Sequence, residues 1–373
     1  MKIRSIAFVL PQFHPIPEND LWWGKGFTEW TNVTKAQPQF KNHYQPHLPT
    51  DLGFYDLRLP EARLAQANIA KEHGIHGFCY YHYWFNGERL LNYPIDEMLQ
   101  SKEPDMPFML CWANENWTRR WDGKDNEILK KQEYHTNDDL AHIRWLCEHV
   151  FGDPRYIRVD DCPVFLIYRH DLFPDIEATT TLWRKIAKEE FGLKDLYLCA
   201  VESFNTIVDP KSINFDAAVE FSPHQVIKHK IAKSKTKKFL EKYGFFKKSH
   251  LSFRDFKLGV RDCMERETPN YKLYRCVTPS WDNTPRKGEK GAVGLGSSPK
   301  LYYQWLTHIL EHFEPYSKDE NFLFLNAMNE WAEGNHLEPC IKYGTKYLEF
   351  TKQAFENLEA NDPAANLDKN SEE

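Results

Sequence analysis

The chain has 373 residues, 41% of them apolar, and a net charge of −6. That length and apolar content fit two average domains or one large α/β barrel, and the acidic balance argues against any general affinity for nucleic acid. No stretch approaches the ~18 apolar residues of a membrane span. The apolar run at residues 3–10 is too short for a signal peptide and ends at Pro11, Gln12 and His14 without a small-residue cleavage site. Eight cysteines, at 79, 111, 147, 162, 199, 263, 276 and 340, form no C-x-x-C pair and fall largely inside apolar runs, so we expect buried thiols in a soluble, cytoplasmic protein. The 15% aromatic content has two readings: a rigid aromatic core, or flat rings available to stack on sugar faces.

Along the chain, short apolar or β-branched runs recur at residues 3–10, 77–83, 108–112, 164–168, 196–201, 217–221, 274–279 and 322–327. Amphipathic stretches at 61–73, 137–150, 179–191 and 300–313 lie between them. Eight strands alternating with helices predict an α/β protein with one (β/α)₈ barrel spanning 1–358. The first run is followed by Pro-Gln-Phe-His-Pro rather than a glycine-rich phosphate loop, which disfavours an open dinucleotide-binding sheet. Residues 222–272 look like an insertion, with nine lysines from Lys228 to Lys248. Such a run is either a solvated helix face or a patch for an anionic glycan or membrane surface. Residues 359–373 are polar, include Pro363 and are expected to be disordered.

Polar and aromatic side chains follow the runs, at the strand ends where such barrels keep their chemistry. Gln12 and His14 follow the first. Tyr80, His82 and Trp84 end the second, with His82 and Tyr80 expected to share the pocket face; a satisfied structural histidine is the plainer reading of His82. After the third come Trp112, Asn114, Glu115, Asn116, Trp117, Arg119 and Trp121, a mixture of stacking rings, hydroxyl-pairing groups and an arginine that suits sugar binding better than packing. Trp281 and Asp282 follow the seventh, and the loop 21–30 after the first is either a rim platform or a packed Ω-like loop. Most informative is Asn329-Glu330-Trp331-Ala332-Glu333-Gly334, directly after the last run. Two nearby carboxylates raise each other's pKa, so one can donate a proton while the other accepts one, as glycosidic bond chemistry requires. Zinc-type histidine spacing, G-x-S-x-G and a cysteine with an evident histidine partner are all missing, so neither metal nor cofactor is expected.

Five stretches carry a resemblance: Leu10-Pro11-Gln12-Phe13-His14-Pro15, the loop from Trp22 to Val33, Gly77 through Phe85, Cys111 through Trp121, and Asn329 through Gly334. In this order, over roughly residues 3–350, they resemble the WbsX family, whose members are often encoded in bacterial O-antigen and other surface-polysaccharide gene clusters. That family is described both as glycosyltransferases and as relatives of the endo-α-mannosidase glycoside hydrolases. The latter are (β/α)₈ barrels with an N-E-W-x-E-G signature after the last strand, which residues 329–334 match. The resemblance implies a retaining hydrolase of α-linked manno- or rhamno-configured residues, working through the sugar's own 2-hydroxyl. It assigns Glu330 as base toward that hydroxyl and Glu333 as acid/base. The residue-level alternatives are a glycosyltransferase, for which Arg119, Arg120 and Arg286 would have to hold a pyrophosphate, and a non-catalytic glycan-binding barrel.

Overall fold

The computed structural model describes residues 3–119, 124–232 and 250–361. Its core is a parallel sheet of β1 (Arg4–Val9), β2 (Gly77–Phe85), β3 (Phe108–Trp112), β4 (Cys162–Ile167), β5 (Tyr197–Glu202), β6 (Ala217–Glu220), β7 and β8 (Phe322–Leu325), each paired with its neighbours in sequence. The seventh strand is in two pieces, Leu273–Tyr274 on β6 and Cys276–Val277 on β8, separated by Arg275 alone. With β1 paired to β8, the sheet closes on itself as the expected α/β barrel. Pro279 lies beyond the seventh strand, and β2 runs two residues further than the sequence pattern suggests.

The outer layer is α1 (Pro60–Glu72), α2 (Tyr93–Ser101), α3 (Thr136–His149), α4 (Ile176–Glu189), α5 (Phe256–Met264), α6 (Pro299–Glu311) and α7 (Lys346–Asn361). Local chemistry sets several starts. Proline occupies the first turn of α1 and α6, where its missing N–H costs nothing, and Asp175 caps α4 through Ala178 N at 2.9 Å. Between β5 and β6 the crossover has only two 3₁₀ turns, Ser203–Asn205 and Pro210–Ile213.

Residues 222–272 are not a simple insertion, because they contain α5 together with a strand, Ser252–Asp255, that pairs with Ala292–Leu295. Lys228 forms an ion pair with Asp262 at 2.9 Å, whereas the lysines from 233 to 248 lie outside the described residues. Of the tail expected from 359, residues 359–361 belong to α7, which runs to Asn361, and 362–373 lie outside the described residues. All eight cysteines are free and buried. Among the described residues no helix is long and apolar enough to cross a membrane.

The barrel interior is filled by alternate side chains. Cys79 interacts there with Cys111, Cys199 and Cys276, and Phe8 stacks on Tyr81 at 5.6 Å and meets Phe221 at 6.2 Å across the barrel. This parity decides what each strand end presents to the mouth.

Candidate active site

Past β8 the chain forms a tight hairpin, Asn329–Glu330 paired antiparallel with Asn335–His336, joined by the 3₁₀ turn Trp331–Glu333. Gly334 completes it at φ +57°, and a Cβ there would sit 3.0 Å from the Asp282 side chain, so both backbone and space require glycine. Below the turn, Trp331 stacks on His336 at 3.7 Å and donates to Glu338 at 2.7 Å. Asn329 is tied to the backbone of β1's end, accepting from Leu10 N at 2.7 Å and donating to Leu10 O at 3.0 Å. The hairpin is thus pinned from beneath while Glu330 and Glu333 face the mouth.

Arg286, from the short helix Thr284–Lys287 after β7, joins them. Its Nη1 donates to Glu333 Oε1 at 2.7 Å, and its Nη2 donates to Glu330 Oε2 at 2.8 Å and to Glu29 Oε1 at 2.7 Å. Three carboxylates therefore share one guanidinium. Burial, opposed by Arg286 and reinforced by Glu333 and Glu29, pushes Glu330 up to about 8. Burial likewise raises Glu333. Each of the two has only one oxygen in the Arg286 contacts, and both residues line the cavity.

That cavity, about 310 Å³, opens at the C-terminal ends of the strands. Tyr81 and Tyr83 rise into it from β2, and burial keeps both phenols protonated well above their usual range, with Glu330 adding to the effect. Trp23, Trp117, Tyr168, Phe204, Phe221 and Trp281 supply ring surface, with His224, Asn283 and Lys287 among them. Three buried N–H groups of residues on this wall, Gln12 Nε2, Trp281 Nε1 and Asn326 Nδ2, have no hydrogen-bond partner among the described residues. Unpaired buried donors are costly. Phe204 has φ +50°, uncommon for a bulky residue; its N–H donates to His224 Nδ1 at 2.8 Å, and its half-exposed ring sits 4.7 Å from the Arg169 guanidinium.

Of the residues singled out by sequence, Gln12, Glu115, Asn116, Trp117, Trp281, Glu330 and Glu333 line the cavity. Glu115 is held by Arg169 at 2.6 Å. The others among the described residues do not line it, for identifiable reasons. The parity expected for β2 is reversed: Tyr80, His82 and Trp84 point outward, and His82 meets His142 of α3 at 3.0 Å while Trp84 stacks on the same imidazole at 4.6 Å. Trp112 belongs to this outer layer, against His142 at 4.5 Å and Trp183 at 5.9 Å. Asn114 ties the ends of β3 and β4 through the backbone N and O of Arg169, each at 2.8 Å. Asp282 is a loop bracket that accepts from His43 and Gln45, each at 2.7 Å, and from Thr284; these bonds overcome burial and hold it below the usual carboxylate range. His14 is buried beside Tyr93, and burial lowers it to about 4. Asn329 and Trp331 are the hairpin fixings already described, and Arg119 is paired with Glu127 at 2.6 Å. Trp121 lies outside the described residues.

The sequence reading missed Tyr81, Tyr83, Asn326 and Phe204, and it gave no role to Glu29. The alternation within residues 77–85 could have offered Tyr81 and Tyr83 as the other face, whereas no local signal links Glu29 to Arg286.

A family model described as "Glycosyltransferase WbsX" matches residues 5–351. The chain belongs to the WbsX family. Two relatives from Xanthomonas campestris pv. campestris strains, each described as "Uncharacterized protein WxcX", are 43% identical over 350 residues, covering 94% of this chain and 49% of theirs. This WbsX-family chain therefore spans about half the length of the curated relatives it matches. Among solved structures it is similar to the GH99 endo-α-mannosidase from Bacteroides thetaiotaomicron, with TM-score 0.58 and 13% identity over 96% of this chain and 98% of that one. It is similar to a "Glycoside hydrolase-like protein" at TM-score 0.56 and 13% identity, over 95% of this chain and 94% of that one. At these identities the likeness is one of fold: a glycoside hydrolase-like barrel.

Proposed function

We propose that this chain is a retaining glycoside hydrolase acting on α-linked manno- or rhamno-configured residues of a bacterial surface polysaccharide or its precursor. The observation that carries the reading is the pair Glu330 and Glu333, held on one guanidinium and both lining a ring-walled cavity. In the scheme implied by the endo-α-mannosidase resemblance, Glu330 takes the 2-hydroxyl proton as that oxygen attacks C1. Glu333 protonates the departing oxygen. Water then opens the 1,2-anhydro ring at C1 and gives its proton to Glu333, while the 2-oxygen recovers its own from Glu330. Sugars with an axial 2-hydroxyl fit this route, a recognised exception to the two-carboxylate schemes.

Burial raises both Glu330, to about 8, and Glu333, so the free pair favours keeping a proton. The base role therefore requires Glu330 to be free of that proton when substrate binds. The test compares wild type, Glu330→Gln and Glu333→Gln on α-linked manno- and rhamno-oligosaccharides and bacterial surface glycans, following product anomers by NMR. Aryl glycosides with activated leaving groups are included because they need no acid. Retention of configuration, with Glu333→Gln alone rescued by the activated leaving group, is the expected outcome. Rescue of Glu330→Gln instead would exchange the two roles, and turnover by either variant near wild type would sink the assignment.

A glycosyltransferase is the second reading, favoured by the family description. Against it, the two described arginines among the three pyrophosphate candidates are already engaged, Arg286 by three carboxylates and Arg119 by Glu127. Transfer from a nucleotide sugar with no cleavage of any glycan would favour it. A non-catalytic glycan-binding barrel would instead bind glycans equally well as Glu330→Gln and yield no product.

A further inference from the structure

Glu29 is fully buried, 257 residues away from Arg286 in sequence, and its placement is unusual for a purely structural carboxylate. One oxygen, Oε1, serves both Arg286 Nη2 at 2.7 Å and the backbone N of Ala332 at 3.1 Å, the residue between Trp331 and Glu333. The other oxygen, Oε2, is buried without a hydrogen-bond partner among the described residues. A buried ionisable group with half its acceptors empty is expensive, and an amide of the same shape would fill the space at lower cost. What an amide would not provide is charge on the guanidinium that bridges the two reacting carboxylates. Arg286 in turn has its Nε unpaired, so every bond it makes goes to this cluster.

We propose that Glu29 and Arg286 are positioning residues that set the protonation of the Glu330/Glu333 pair: Glu29 anchors the guanidinium between the two carboxylates and offsets part of its charge. Three carboxylates and one cation would carry a net charge of −2 if all were ionised, so the cluster favours keeping a proton on the reacting pair. Without Glu29 the same guanidinium would strip that proton at lower pH. Without Arg286 the proton would be held to higher pH. Among the described residues, the other titratable and charged groups on the same cavity are Lys287 from the same short helix, the Tyr81 and Tyr83 phenols from β2, and Glu115, Tyr168 and His224 across the mouth. None of these bridges both carboxylates.

The inference rests on the hydrolase reading for its kinetic consequence but not for its direct measurement. In Glu29→Gln both limbs of the pH–rate profile should move to lower pH by about one unit, with kcat affected more than KM. In Arg286→Gln they should move to higher pH, and Arg286→Lys should restore part of the difference. Opposite shifts from two neighbours are not what a common loss of packing would give. A titration of glutamate carboxyl carbons by ¹³C NMR in the wild type and Glu29→Gln reads the same shift without substrate, so it remains decisive if no glycosidase activity is found. Limbs and carboxyl titrations unmoved in Glu29→Gln, with only a lower Tm, would overturn the proposal, and this variant suffices even if Arg286→Gln does not fold.

Discussion

Two buried polar clusters flank the same strands, and burial favours the neutral form of the titrating groups in both, but only one holds a buried cation and lines a cavity. Behind β2 and β3, His82 and His142 meet at 3.0 Å, enclosed by Trp84, Trp112 and Trp145. Burial pushes His82 down to about 3 and His142 well below its usual value, so both imidazoles stay neutral. At the mouth, Glu29, Glu330 and Glu333 crowd around Arg286; burial pushes the reacting pair toward its protonated form, while the carboxylates keep the buried guanidinium charged. The first cluster is closed and resembles a core; the second keeps acceptors open on a cavity. A polar group surrounded by aromatic rings is therefore not by itself a sign of function, and the open acceptor is the better one.

The largest test of this contrast is kinetic. Glu330→Gln should lower kcat on the natural linkage by about 10²–10⁴-fold, whereas His82→Gln should leave kcat/KM within a few-fold of wild type; equal losses would erase the distinction. Next comes packing: Trp112→Ala should destabilise the fold by about 3–5 kcal/mol, read by denaturant melts, while the folded fraction keeps its kcat.

Stability against pH should then separate the two clusters by sign. An imidazole with a folded pKa below the unfolded value of about 6.5 contributes nothing adverse above that pH and costs stability as pH falls toward the folded value. The His82→Gln/His142→Gln double variant should therefore lose less stability than wild type between pH 6.5 and 4, by up to about 1.4 kcal/mol per pH unit for each imidazole replaced. Glu330 is raised, so its contribution is intact below the unfolded carboxylate value and is lost as pH climbs toward about 8. Glu330→Gln should gain Tm relative to wild type at pH 8 and little at pH 5. The same slope in both variants would mean that the two clusters do not differ as described. The smallest effect is expected at the rim, where Phe204→Ala should weaken oligosaccharide binding to Glu333→Gln by about 1 kcal/mol, measured by calorimetry, and unchanged affinity would remove Phe204 from the binding surface.

Much of the architecture is legible from periodicity. Eight apolar runs with helical stretches between them already imply a closed barrel, because parallel strands need crossovers and both sheet faces need cover. The terminal motif likewise announces its carboxylates through its position after the last strand. The face of β2 is not legible, since all nine residues Gly77–Phe85 are buried, one side by the barrel interior and the other by helices, leaving no alternation of apolar and polar to follow. The same loss of contrast made Trp112, Asn114 and Asp282 look like binding residues when they are fastenings.

The sequence by itself determined the order of strands, the place of the catalytic candidates and the family, because these depend on local pattern and on motifs in line. Tertiary structure alone decided which aromatic side chains face the cavity, and that Glu29 and Arg286 meet the pair Glu330 and Glu333, because closing the barrel brings together loops hundreds of residues apart and fixes a parity that a strand buried on both faces cannot display.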